Sequence, residues 1–310
     1  MIALTKAALF SVFAAGFASA ADPALLNLLM PEAKLVIGIN VEQAKNTPFG
    51  QSVLARLQKE DAGFARFVTA TGFDPRRDLR EVVIGSTGNR PEGGLVVARG
   101  FFNSARLAEF AKIEGATVTN FNGVDIVSGP KADHKGAFAF LDPTTALGGD
   151  IDSVKAAISR RGTSEGLNQA LQTKIRDLSG ANDVWFASTL SGSDLAARVP
   201  DSRAAGIAKG DILQAVEQSS GGVKFGTMVE IKGEALMRSD KDATALADVA
   251  RFLGSMVQLN RDKPGAGNVA TLIEQMDIRT EANIVKFSLA VPQDQLEKLM
   301  APRVRRAARQ

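Results

Sequence analysis

The chain contains no cysteine. That excludes disulfides, a thiolate nucleophile, cysteine-ligated metals and a lipid-modified N-terminal cysteine. It contains no tyrosine, one tryptophan (Trp185) and one histidine (His134). A multi-histidine metal site is therefore excluded. The rigid amphipathic rings that usually build sugar and peptide sites are nearly missing. What remains is ordinary globular composition, 45% hydrophobic and 23% charged over 310 residues. That length supports one large domain or two of about 150 residues.

The first twenty residues read as a secretory leader. Lys6 is their only charge, the apolar run Ala7–Phe17 follows, and Ala18-Ser19-Ala20 is a small-x-small cleavage pattern. The run is shorter than the roughly 20 residues a membrane span needs. The expectation is cleavage after Ala20 and a periplasmic or extracellular mature chain with no transmembrane helix. The net charge of +3 drops to +2 without Lys6 and to −2 without Arg303, Arg305, Arg306 and Arg309. The basic character thus belongs to a C-terminal tail, 301–310, expected to lack fixed structure; it is either a solvated tail without a partner or a weak contact for anionic surfaces. No basic-aromatic stripe accompanies it, so nucleic acid is not an expected partner.

The rest of the chain reads as one pattern given twice. Lys34–Val41 and Asp183–Leu190 are similar β-like runs. Each leads into helical sequence: Thr47-Pro48 with Phe49, Val53, Leu54 and Leu57 in the first half, Ser193–Gln218 in the second. Strand pairs are expected at Glu81–Thr87 with Gly94–Arg99, and at Lys224–Ile231 with Ala235–Ser239 about a Lys232-Gly233-Glu234 turn. A helix capped by Asn103 or by Asp242 comes next. Strands at Thr117–Phe121, Val124–Ser128 and Ala137–Leu141 with a helix at Ile151–Ile158 then close the first half, and strands at Asp277–Glu281 and Ile284–Val291 with a helix at Gln293–Met300 close the second. The expected architecture is α+β: two pseudo-repeated lobes, 21–160 and 183–300. Each is an antiparallel sheet with helices on one face in a β-α-β-β-α-β, ferredoxin-like order. Segment 161–182 links them, and the two sheets stay separate or join edge to edge.

Leu29–Leu54, with its proline-containing lead-in, strand and Thr-Pro-Phe-Gly helix start, resembles the opening of uncharacterised secreted bacterial proteins of a domain-of-unknown-function type. The Leu147-Gly148-Gly149-Asp150 approach to Ile151–Ile158, and Asn182-Asp183-Val184-Trp185, are similar to later elements of that family. The resemblance implies a duplicated α+β secreted protein and carries over no site residue.

Sequence motifs for chemistry do not survive their context. Gly162-Thr163-Ser164-Glu165-Gly166 fits G-x-S-x-G but lies between helices. Gly162 reads as a C-cap and Ser164 as an N-cap. Ser128-Gly129-Pro130-Lys131 fits S-x-x-K, but Gly-Pro makes a turn. His134, with Asp133, Asp125 and Ser128 nearby, falls in a polar turn without the shelter a triad needs. Asp142, Thr144, Thr145, Asp150 and Asp152 offer oxygens for Ca²⁺, yet Asp150 reads as an N-cap. Gly265-Ala266-Gly267 reads as a loop, and Trp185 as a core residue of the second half. No catalytic, cofactor or metal residue is assigned. The expected function is a non-catalytic binding or scaffolding role in the cell envelope, at the lobe junction or an exposed sheet face. The alternatives are a hydrolase whose site converges only in three dimensions, and self-assembly through open sheet edges.

Overall fold

A computed structural model describes residues 20–59, 62–88, 94–129, 136–163, 166–192, 194, 211–262 and 266–300. The leader through residue 19, His134, Ser164 and the arginine tail lie outside these residues. The protein is α+β, built on one large antiparallel sheet. In chain order the strands are β1 (Leu35–Asn40), β2 (Leu79–Ser86), β3 (Gly94–Gly100), β4 (Thr117–Phe121), β5 (Val124–Ser128), β6 (Gly136–Asp142), β7 (Thr145–Asp150), β8 (Val184–Ser188), β9 (Val216–Lys224), β10 (Met228–Met237), β11 (Asp277–Glu281) and β12 (Ile284–Pro292). Across the sheet they run β11-β12-β10-β9-β8-β1-β2-β3-β7-β6-β5-β4.

The edge-to-edge union is made by β1 and β8, which pair antiparallel with Gly38 opposite Trp185. The ferredoxin-like strand order does not form. β1 pairs directly with β2, and β8 with β9, so each chain segment returns beside the strand it left. Helices also cover both faces, not one. The reason is visible in Val82-Val83-Ile84 and Ala139-Phe140. These runs are apolar at consecutive positions, and consecutive positions point to opposite faces.

On one face lie α1 (Pro23–Leu26), α7 (Ile151–Arg160) and α8 (Gln169–Ser179). They pack with Val36, Val83, Leu95, Val97, Ala139, Leu147, Trp185 and Ala187 in one core. The expected linker therefore carries a core helix, with Leu171 and Ile175 each 1% exposed. Opposite, α4 (Ala62–Thr71) and α6 (Ser104–Ile113) reach β6 through a ladder of rings. Phe67 meets Phe110 at 5.6 Å, Phe73 meets Phe102 at 5.4 Å, and Phe102 meets Phe140 at 5.5 Å. Phe140 alternates with the core residue Ala139, which sets its ring on the other face. At the far end of that face, α10 (Asp240–Leu259) buries Ala243 and Ala247 against Met237 and Val285.

Other helices are α2 (Val41–Ala44), α3 (Pro48–Lys59), α5 (Pro75–Asp78), α9 (Asp211–Gln214), α11 (Ala266–Glu274) and α12 (Gln293–Met300). Asn103 and Asp150 cap α6 and α7 as expected, and Gly162 follows α7 at φ +84°. Three cap or loop expectations are corrected. Ser239, not Asp242, caps α10, with Asp242 accepting its hydroxyl at 2.8 Å. Asn168, not Ser164, caps α8. Ala266-Gly267 opens α11 rather than forming a loop.

The second half was misread around its glycines. Val216–Gln218 is strand, not helix, and Lys232-Gly233-Glu234 is mid-strand, not a turn. Gly233 sits there because the Phe287 ring lies across it. A Cβ at Gly233 would be 2.1 Å from Phe287 Cζ. Such glycines mark close approach within a sheet.

The open edges among the described residues are β4 and β11. β11 presents Asp277, Arg279 and Glu281, charges that discourage pairing with a further chain.

The α5 turn ties α4 to the sheet and is acid-sensitive. Asp74 accepts from Arg76 Nε at 2.7 Å, and Asp78 accepts from Arg77 Nε and from the Asp74 amide. The side-chain hydrogen bond from Arg76 holds the Asp74 carboxyl below its ordinary value, against burial, and Arg77 does the same for Asp78. A carboxylate lowered in the folded state stabilises above its unfolded pKa, near 4, and loses that contribution as pH falls through the folded value. The Phe101 amide, which donates to the Asp78 carbonyl at 2.9 Å, reports on the turn. Between pH 5 and pH 2 its hydrogen-exchange protection should fall more than that of Val83. Equal losses would mean the aspartates do not hold the turn.

Candidate functional site

Antiparallel sheets leave one face to water where nothing packs on it. Beyond α8, among the described residues, strands β9, β10, β12 and β11 do so on the α8 side. The register builds a lattice of side chains there. One cross-strand row is Ser220, Glu234, Lys286 and Arg279, and the next is Gly222, Lys232, Ser288 and Asp277. Lys174, Asp177 and Leu178 of α8 wall one side and β11 walls the other, enclosing about 440 Å³. A contiguous space of about 180 Å³ runs under α8, lined by Leu171, Ala187, Leu236 and Ile284. The two share Lys174, Ser220 and Glu234.

The charges in the groove balance. Lys174, Lys232, Arg279 and Lys286 face Asp177, Glu234, Asp277 and Glu281. Lys174 pairs with Glu234, which also accepts from Ser220 Oγ at 3.1 Å. Lys232 meets Glu230 at 2.8 Å, Arg279 meets Asp277 at 2.7 Å, and Lys286 meets Glu281 at 2.5 Å. The hydrogen bond to Glu281 raises the Lys286 pKa, and that from Lys232 lowers the Glu230 pKa. Both groups therefore stay charged at neutral pH. Ser220 faces a carboxylate already held by Lys174, an arrangement that binds charge and does not activate a hydroxyl.

Among the described residues, the candidates from sequence are not brought together. Asp125 and Ser128 are three residues apart on β5 and so point to opposite faces. Asp125 accepts from Asn120 at 2.8 Å. His134, Lys131 and Ser164 lie outside the described residues. Asp142 closes its own turn, accepting from the Thr144 amide and hydroxyl at 2.7 and 2.6 Å. Asp150, at the far end of β7, accepts from the Ser153 amide at 2.8 Å. No cluster of three metal-ligating side chains occurs among the described residues.

Sequence reading missed the groove because Gln218 ends an expected helix and Ser219-Ser220-Gly221-Gly222 carries no strand pattern of its own. Its signal was the alternation Glu230, Lys232, Glu234 continuing through Gly233. An apolar stripe of Phe252, Met256 and Leu259 on α10 is also exposed. It carries no polar group that would orient a ligand.

No family model matches the chain, and no curated protein sequence matches it. Among solved structures, crystal form I of TP0453 is similar with a TM-score of 0.53 at 8% identity, over 89% of this chain and 95% of that one. At that identity the likeness concerns the fold alone. Among the described residues, no helix is long and apolar enough to cross a membrane.

Proposed function

We propose that the protein is a secreted or periplasmic, non-catalytic binding protein of the cell envelope, and that the groove between α8 and β11 is its contact surface. The observation that carries this is the balanced lattice of charge over an uncovered sheet face, joined to an apolar slot. A partner segment bearing both signs of charge exchanges the internal ion pairs for equivalent ones. A ligand of one sign breaks pairs without replacing them. The leader, cleaved after Ala20, delivers the chain to that compartment.

The test is capture from native envelope fractions by the full mature chain. Lys232→Glu with Lys286→Glu should reduce recovery of the specific partner at least tenfold, while Lys112→Glu on α6 leaves it unchanged. Both lysines hold ion pairs and Lys286 lies opposite Glu234, so the urea midpoint of the double variant is measured beside the wild type and capture is compared where both are folded. Equal capture by all three proteins contradicts the groove.

Two finer readings belong with this one. The halves descend from a duplication, supported by their orders from the centre outward: β1-β2-β3-β7-β6 beside β8-β9-β10-β12-β11. The first half adds β5 and β4. Superposition of the halves should place β1 on β8 and α7 on α12; a permuted match contradicts it. The tail arginines (Arg303, Arg305, Arg306, Arg309) add on the order of 1 kcal/mol each toward an anionic surface at low salt. Vesicle binding by the mature chain should exceed that of a chain ending at Met300, and the excess should vanish at physiological salt. Equal binding by the two removes the tail from the account.

A further inference from the structure

The residues just after the expected cleavage point enter the core at once. Ala21 is 7% exposed, and Leu25 and Leu29 are buried. The Asp22 carboxylate caps α1 through the Ala24 amide at 2.8 Å and pairs with the Arg99 guanidinium of β3. The Asp22 amide donates to both carboxylate oxygens of Glu81 on β2, at 3.2 and 3.4 Å. Arg99 is committed elsewhere, to Asp22 and to Thr145 Oγ1 at 2.6 Å.

Arg99 thus pairs with Asp22 while only its field reaches Glu81 and Asp142. Among the described residues the cluster is at least one positive charge short. Burial pushes the Glu81 carboxyl above its ordinary value and the charge of Asp22 adds to the rise, while the Asp22 amide and Arg99 oppose it.

We propose that cleavage after Ala20 supplies the missing cation: the new α-ammonium of Ala21 pairs with Glu81 and locks the N-terminal segment into the core. The Ala21 nitrogen is one residue, at most about 3.8 Å, from the amide that already donates to Glu81. The peptidase hydrolyses the Ala20–Ala21 bond. Water gives its hydroxyl to the Ala20 carboxyl and a proton to the freed amine, which takes a second proton at neutral pH. This inference rests on the leader reading, and its consequence is that the mature chain is more firmly closed than its precursor.

The test uses the mature chain, Ala21–Gln310, released from a fusion with a free amine, in wild-type and Glu81→Gln forms, together with its Ala21-acetylated counterpart. In the wild type the α-amine should titrate about one unit above the usual range near 8, so it labels about tenfold more slowly at pH 7.5. In Glu81→Gln it should return to the usual range. Acetylation should lower the denaturation midpoint of the wild-type chain, a comparison that needs no substitution. An α-amine titrating alike in both forms, or a midpoint untouched by acetylation, overturns the pair. Mapping the N-terminus of the protein from its native host tests cleavage separately. A different first residue overturns the leader reading, whatever the pair measured in vitro.

Discussion

Replacing Trp185 with Ala lowers the unfolding free energy by about 3–5 kcal/mol, the range for a large ring removed from a packed core. Trp185 is 2% exposed and sits in the core shared by α1, α7 and α8. It does not belong to a separate second-half core. Its ring crosses from β8 onto β1 over Gly38, where a Cβ would lie 2.1 Å from Cε2 and Cζ2. Gly38→Ala should therefore be strongly destabilising by itself, because the ring must leave its place or the strands must part. In a Trp185→Ala background the same change meets no ring, and its cost should shrink sharply. Urea unfolding followed by circular dichroism gives all four corners of the cycle. Additive costs would mean that the ring does not hold β1 to β8.

Replacing Asp183 with Ala costs about 2–4 kcal/mol, and Asp183→Asn costs less. The Asp183 side chain is fully buried at the start of β8, accepting from Lys224 Nζ at 2.8 Å and from the Phe225 amide at 2.7 Å. Ala leaves that amide without its partner, and an unsatisfied buried donor costs more than a hydrogen bond contributes. Lys224 is 46% exposed and regains water, so the penalty stays below that of a fully buried broken pair. Phe225 stacks on Phe49 of α3 at 4.8 Å, so the loss also loosens α3. Asn keeps one oxygen for the Phe225 amide and loses the charge and the acceptor that faces Lys224, which is exposed enough to turn to water. Equal costs for the two variants would assign the effect to the ion pair instead.

Elements with a clean period were legible in the sequence. Thr117–Phe121, Val124–Ser128, Asp277–Glu281 and Gln293–Met300 lie where alternation or helical spacing puts them. The edge-to-edge junction was left open because pairing between β1 and β8 is a long-range choice with no local signal. β7 and β9 were missed for one reason. Leu147-Gly148-Gly149 and Ser219-Ser220-Gly221-Gly222 hold no β-branched or aromatic residue to mark a strand, yet neighbouring groups crowd most of these glycines. A Cβ at Gly222 would be 2.2 Å from the Asn182 amide carbon, and one at Gly149 would be 2.4 Å from the Gly94 carbonyl oxygen. The groove went unread with β9, since its lattice exists only once β9, β10, β12 and β11 are in register. Ser128 and Asp125 show the converse: adjacency in sequence carried no convergence in space.

The most direct test of the groove as the contact surface is site-specific photo-crosslinking in the native host. A crosslinking residue replaces Ser288 on the groove floor, and in a second chain it replaces Thr119 on β4, at the opposite edge of the sheet. The account predicts a discrete adduct from position 288 that excess unlabelled wild-type chain competes away and that the Lys232→Glu, Lys286→Glu chain does not, with no such adduct from position 119. An adduct from position 119 alone, or none from position 288, contradicts it.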